Sequence, residues 1–218
     1  MASDDPKQHQ DLWTRQLAAG LAAQQLVLGD DQQRRLIDYL ALLYKWNRAY
    51  NLTAVRDPAE MVSRQLLDSL SILPWIEGPR VLDVGTGAGL PGIPLAIARP
   101  DIRFTLLDSN GKKIRFVRQA ILELGLTNVT AEQQRVEAYR PPAPFDTITS
   151  RAFAELKDFV ALTGHLLAPG GQWLAMKAAL AGAESRALPP GLVPELLELQ
   201  VPGETASRQA VRIRSTPA

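Results

Sequence analysis

The stretch VLDVGTGAGLPG, Val81 to Gly92, runs from an apolar segment into four glycines, with a carboxylate, Asp83, just before them. Glycine lacks a Cβ and tolerates conformations closed to other residues, so such a run suits a ligand lying against bare backbone. Gly87, Gly89 and Gly92 match the letters of the dinucleotide fingerprint G-x-G-x-x-G, but that motif opens where the strand ends, with a helix N-terminus facing a pyrophosphate. Here the match begins two residues late. Counted from the strand end, the pattern is Asp83-x-Gly85-x-Gly87-x-Gly89, and Pro91 and Pro94 already begin a helix. Asp83 would set a carboxylate close to two phosphate charges, whereas it suits a ligand carrying an ammonium and a sulfonium. S-adenosylmethionine (SAM) is such a ligand. Its ribose needs an acceptor at the tip of the following strand, and Asp108 closes FTLLD near the expected spacing of about 20 residues.

These residues need a scaffold, and the pattern around them changes near Pro74 to Pro79. Before that point, residues 12–28, 32–50 and 58–75 place apolar side chains at three- and four-residue steps; Leu36, Tyr39, Leu40, Leu43 and Trp46 make one stripe. Asp57-Pro58 reads as an N-cap with proline at the first helical position, and Glu60 stands where a capping-box acid would. After Pro79, strands are expected at 80–85, 104–108, 128–132, 145–150 and 172–177, separated by helical stretches such as 111–124. That alternation implies a parallel sheet. ELLELQV and QAVRIRS flank PGETASR and suggest two closing strands joined by a loop. The expectation is an α/β chain: a Rossmann-like domain of the class I SAM-dependent methyltransferase type over 76–218, its mostly parallel sheet ending in an antiparallel hairpin, preceded by a helical extension over 1–75.

Composition excludes several kinds of chemistry. The 218 residues include no cysteine, which rules out disulfides, thiolate zinc sites, iron–sulfur clusters and a cysteine nucleophile. His9 and His165 have no second ligand at metal spacing, so no metal is expected. MASDDPKQHQ is not a secretory signal and no run of about 18 apolar residues occurs, so a soluble cytoplasmic protein without membrane partners is expected. With a net charge of +1, no global field draws the chain to nucleic acid; such a partner must be met by a local patch. GKKIRFVR supplies one candidate: Lys112, Lys113, Arg115 and Arg118 with no acid among them, otherwise a solvated helix face. Tyr44, Trp46 and Tyr50 could stack on bases, but at helical spacing they read more readily as packing residues.

Two methyl acceptors are disfavoured by the residues present. Adenine amino methylation goes with an Asn/Asp-Pro-Pro-aromatic turn after the fourth strand, where this chain reads SRAFAELKD. Methylation at C5 of a pyrimidine needs a cysteine. N7 of guanine needs neither, because its in-plane lone pair can attack without losing a proton, and positioning then carries the catalysis.

KWNRAYNLTAVRDPAEM (45–61), LLDSLSILPWI (66–76), VLDVGTGAGLPGIPLAI (81–97), FTLLDSNGKKIRFVRQ (104–119), QRVEAY (134–139) and ITSRAF (148–153) together resemble the RsmG (GidB) family. The resemblance runs in register from about Tyr44 to Lys177. It implies SAM-dependent methylation of guanine N7 in small-subunit (16S) ribosomal RNA, with the rRNA or an assembling small-subunit particle as partner. It further implies that Gly85 and Leu90 line the methionine and ribose side of the cofactor, that Val136 and Glu137 meet its adenine, and that Arg151 completes the site. Two departures stand out. Gln65 replaces a histidine common in the family, and Lys177, a candidate RNA contact, is followed by Ala178 rather than glycine. Outside this resemblance, an NAD-dependent oxidoreductase and a non-catalytic SAM-binding sensor are the other readings of the glycine loop; methyl transfer to rRNA separates the three.

Overall fold

The computed structural model describes residues 6–151, 155–177 and 188–215. Seven strands form one sheet in the order β3-β2-β1-β4-β5-β7-β6: β1 Arg80–Val84, β2 Arg103–Asp108, β3 Val129–Gln133, β4 Phe145–Ser150, β5 Leu167–Lys177, β6 Pro194–Leu199 and β7 Arg208–Arg214. The first five run parallel, Leu82 lying between Thr105 of β2 and Ile148 of β4. The closing hairpin is antiparallel, with β7 inserted between β5 and β6. β5 starts five residues earlier than its apolar run suggests. Gly170 turns it at φ 74°, and Gly171 lies where a Cβ would meet the Asp146 carbonyl oxygen at 2.9 Å. Such close strand approach is open only to glycine.

The chain order reverses beside β1, first outward to β2 and β3 and then back to β4. Ligands of open α/β sheets bind outside the carboxyl ends of the strands at this switch point. Both faces are covered, which is why β1, β2 and β4 read as nearly continuous apolar runs. On one face Val81, Phe104, Leu106, Leu174 and Met176 share a single cluster with residues of α1 (Gln10–Ala23), α2 (Asp30–Tyr50), α5 (Gly92–Ala98) and α6 (Gly111–Glu123). On the other, Leu82, Leu107, Ile148 and Trp173 pack with Leu156, Phe159 and Val160 of α7 (Leu156–Thr163).

The helix expected over 58–75 is instead broken into α3 (Pro58–Met61), a π-helical stretch at Val62–Leu67, α4 (Asp68–Leu70) and a 3-10 turn at Leu73–Trp75. Asp57 caps its start, accepting from Ala59 N at 2.9 Å, whereas Glu60 does not close a capping box and pairs with Arg64 at 2.9 Å. α1 clamps the π stretch. Gly20 leaves room for Leu67, whose Cδ1 would lie 2.2 Å from an added Cβ, and Gln24 Nε2 donates to the Leu67 carbonyl at 2.9 Å. Aromatic packing dominates the helical layer: Trp13 and Tyr44 meet edge to face, Trp46 leans on Phe116 and Tyr50 stacks on Trp46. No helix among the described residues is long and apolar enough to cross a membrane.

Candidate active site

Gly85, Gly87 and Gly89 all lie at positive φ, 69°, 61° and 89°, where an L side chain is strained. The loop they form is braced from behind. Asp83 is fully buried; its Oδ2 accepts from Thr86 Oγ1 at 2.6 Å and from Gly92 N at 2.9 Å. Tyr39 of α2 donates its buried hydroxyl to the Ala88 carbonyl at 2.9 Å. The sequence places Asp83 against a ligand ammonium. The structure instead turns its carboxylate inward, because the loop's own hydroxyl and N–H donors converge on Oδ2. Asp83 Oδ1 is buried with no hydrogen-bond partner.

Burial pushes the Asp83 carboxyl up to about 6, against the opposing hydrogen bonds of Thr86 and Gly92 and the charge of Arg151. The folded chain therefore holds this proton to higher pH than the unfolded chain. The associated stability is complete below the ordinary value of 3.8 and is lost as pH rises through about 6. Asp83→Asn keeps an acceptor for Thr86 and Gly92 without the charge. Across that window the wild type should lose on the order of 3 kcal/mol that the variant retains. Thermal unfolding midpoints that fall in parallel for both proteins would rule Asp83 out as the source.

Asp108 closes β2 directly opposite the loop. Its Oδ2 accepts from Gly87 N at 2.9 Å and its Oδ1 from Asn110 N at 2.8 Å; Lys113 Nζ stands 3.8 Å from Oδ2. A carboxylate offers about four acceptor positions, so two remain for a ligand. Gly85, Asp108, Ser109, Val136, Glu137 and Leu162 line one cleft of about 210 Å³ at the switch point. Four residues chosen from the sequence thus converge: Gly85, Asp108, Val136 and Glu137. Ser109, which follows Asp108 in the chain, and Leu162 join them; nothing in the local sequence marks Leu162, because α7 reaches the cleft only through the fold.

The remaining candidates lie elsewhere. Leu90 is buried and Gly87 and Gly89 belong to the braced loop; none of the three lines the cleft. Arg151, just past β4, turns toward the N-terminal helices instead. It donates to the Arg64 carbonyl (3.1 Å), Asp68 Oδ2 (3.2 Å) and Gln65 Oε1 (3.0 Å). Gln65 in turn donates to Thr53 Oγ1 at 2.8 Å, and Arg208 of β7 grips Asp68 from the other side at 2.7 Å. A widened π turn exposes its carbonyls sideways, and such turns often mark functional sites; here the exposed Arg64 carbonyl meets a guanidinium. These groups, with Arg64 and Glu204, line a second, polar pocket of about 170 Å³. Ser150 Oγ, the residue before Arg151, donates to the carbonyl of Val84 at 2.7 Å. Val84 lines the first cleft and Arg151 the second pocket, so this one hydrogen bond across the β1–β4 boundary links a residue of the cleft to the chain neighbour of a pocket residue.

Among the basic candidates, Lys112 and Arg115 are exposed and hold no ion pair among the described residues. Lys113 leans toward Asp108, and Arg118 donates to the Ala131 carbonyl at 3.3 Å. Lys177 ends β5, in register with Gln209 of β7 and across the switch point from α6. Ala178 lies outside the described residues.

Comparison with known proteins agrees with this geometry. The family model for GidB, rRNA small subunit methyltransferase G, matches residues 32–204. The chain is 56% identical over 199 residues to the ribosomal RNA small subunit methyltransferase G of Chromohalobacter salexigens, covering 91% of this chain and 95% of that protein. It is 54% identical over 203 residues to that of Pseudomonas aeruginosa, covering 92% and 95%. Among solved structures it resembles the O-methyltransferase TomG of Streptomyces achromogenes in complex with SAM, with a TM-score of 0.59 at 16% identity over 91% of this chain and 96% of that one. The N-methyltransferase NodS of Bradyrhizobium japonicum with S-adenosylhomocysteine is similar at a TM-score of 0.53 and 19% identity, over 79% and 97%. The solved structures share the fold, and the sequence relatives, matched over nine-tenths of their length and on both sides of the glycine loop, establish that the chain belongs to the rRNA small subunit methyltransferase G (GidB) family.

Proposed function

We propose that this chain transfers a methyl group from SAM to N7 of a guanine in small-subunit ribosomal RNA, in the cytoplasm. The observation that carries the reading is the convergence of Gly85, Asp108, Val136 and Glu137 on one cleft at the switch point. The residues fit the cofactor: two free acceptor positions on Asp108 suit ribose hydroxyls, Val136 offers an apolar contact to adenine, and the Gly85 turn admits the methionine chain. Asp83, with Oδ1 buried and unpartnered, sets a carboxyl beneath the loop that suits a cationic ligand above it.

SAM supplies an electrophilic methyl carbon on a sulfonium. The guanine N7 lone pair forms the new bond to that carbon as the carbon–sulfur bond breaks. The electron pair stays on sulfur, giving S-adenosylhomocysteine, and the ring becomes a cation. No proton moves, so the protein's tasks are to hold the two reactants in line and keep water out. Incubating labelled SAM with unmethylated small-subunit rRNA tests this. The label should enter one guanine, and that site should become open to strand scission after reduction. Label in an adenine, a pyrimidine or protein would overturn the reading.

RNA contact through α6 is part of the proposal. Neutralising Lys112 and Arg115 should reduce the slope of log affinity against log salt by about 0.7 for each lost single-strand phosphate contact, or about 1.4 for both. SAM affinity should not change. An unaltered slope would return these residues to a solvated helix face.

A further inference from the structure

The polar pocket beside the cleft is not accounted for by cofactor binding. Its walls come from three separate parts of the chain: Thr53, Arg64, Gln65 and Asp68 from the N-terminal segment, Arg151 from the end of β4, and Glu204 and Arg208 from the closing hairpin. Most of these groups are committed to each other. Asp68 is 3% exposed and saturated by Arg151 and Arg208, and Gln65 bridges Thr53 and Arg151. Glu204 is different. Its side chain is 24% exposed, and its ion pair with Arg64 spans 3.9 Å, too long for a direct hydrogen bond.

The backbone beneath Glu204 is nevertheless fixed. Ser63 Oγ of the π stretch donates to the Pro202 carbonyl at 2.6 Å. Gly203 sits at φ 89°, where an added Cβ would press on Ser63 Oγ at 3.0 Å. The Glu204 amide closes a turn onto the Val201 carbonyl at 3.1 Å. A weakly engaged carboxylate is thus anchored on the pocket wall.

We infer that this pocket receives the acceptor base, and that Glu204 selects guanine by accepting hydrogen bonds from its Watson–Crick edge. The inference rests on the N7 reading above. A base that turns N7 and O6 toward the cleft directs its opposite edge outward. On guanine that edge carries the N1–H and N2–H₂ donors, a pair that a carboxylate accepts together; adenine presents an acceptor at N1 and has no amino group at C2. The arginines are donors only and suit O6. A base embedded in RNA reaches such a pocket by leaving its stack. A carboxylate set against the bound base also offsets the positive charge the ring acquires on methylation.

The test is a cycle between protein and RNA. Once the labelled guanine is mapped, small-subunit rRNA is assembled with inosine at that position, which removes only the N2 amino group. Wild-type kcat/KM should fall by about tenfold on the inosine RNA. Glu204→Ala should be slower on guanine RNA by a similar factor and should show no further loss on inosine; Glu204→Gln, which keeps one acceptor, should fall between. SAM Kd and the unfolding midpoint of each variant should match wild type. An inosine penalty undiminished in Glu204→Ala, or wild-type turnover of guanine RNA by that variant, would overturn the pocket assignment. If Glu204→Ala does not fold, an inosine penalty in Glu204→Gln equal to the wild-type one has the same meaning. Label at an atom other than guanine N7 in the wild-type reaction would remove the N7 reading and the pocket together, whereas N7 product with independent penalties removes the pocket alone.

Discussion

Alanine at Asp108 is expected to weaken SAM binding by about 1–3 kcal/mol, because charge-assisted hydrogen bonds to the ribose are lost from a partly buried site. In Kd this is roughly tenfold to a hundredfold, measured by calorimetry. The carboxylate has a second task. It accepts from Gly87 N and Asn110 N, so its removal also frees the glycine loop from the tip of β2 and loosens the entry to α6. Asp108→Asn helps separate the two effects, since it keeps one acceptor oxygen for the backbone while losing the charge. An unchanged Kd in folded Asp108→Ala would take this residue out of the cofactor site.

The largest loss of stability is expected at Asp68. This carboxylate is 3% exposed and neutralises Arg151 and Arg208, whose side chains are 24% and 25% exposed. Removing one partner from a buried ionic cluster typically costs 3–5 kcal/mol, because the remaining charges stay desolvated. Both guanidiniums keep a quarter of their surface in water, so about 2–4 kcal/mol is expected for Asp68→Ala. In a chain of this size that corresponds to a fall of roughly 5–15 °C in Tm. The exposed pair Arg99 and Asp101, at 2.7 Å with side chains 38% and 61% exposed, provides the comparison: Asp101→Ala should cost less than about 1 kcal/mol. Equal midpoints for the two variants would show that the Asp68 cluster does not tie the helical layer to the sheet. Asp68→Ala should also slow methyl transfer, since it releases Arg151 from its place between cleft and pocket.

Much of this protein is set locally and can be read from its residues in order. The alternation of apolar runs with helical periods marks the five parallel strands, most clearly β1, β2 and β4, since strands buried on both faces must be nearly apolar throughout. Asn110 and Asp57 cap their helices with side chains that reach only two or three residues, so both starts follow from adjacent sequence. The glycine loop and Asp108 also mark themselves. One requires backbone that L side chains rarely adopt, and the other is an acid at a strand tip.

Tertiary structure decided what depends on residues far apart in the chain. Asp83 looks like a ligand acid in sequence, yet its Oδ2 is taken up by Thr86 and Gly92 once the loop folds back over it. The family resemblance assigns Arg151 and Leu90 to the cofactor site, but one side chain bonds to Asp68 and Gln65 from 80 or more residues earlier in the chain and the other is buried. A regular 3.6-residue period at 58–75 gives no sign of the π stretch, because its distortion is held by partners outside it: Gly20 of α1 and Gln24 just past its end on one side, and the guanidinium of Arg151 on the other. Sequence periodicity reports which face of an element is buried. It does not report which distant charge will be waiting there, and the pocket walled by Arg64, Asp68, Arg151, Glu204 and Arg208 is composed of such meetings.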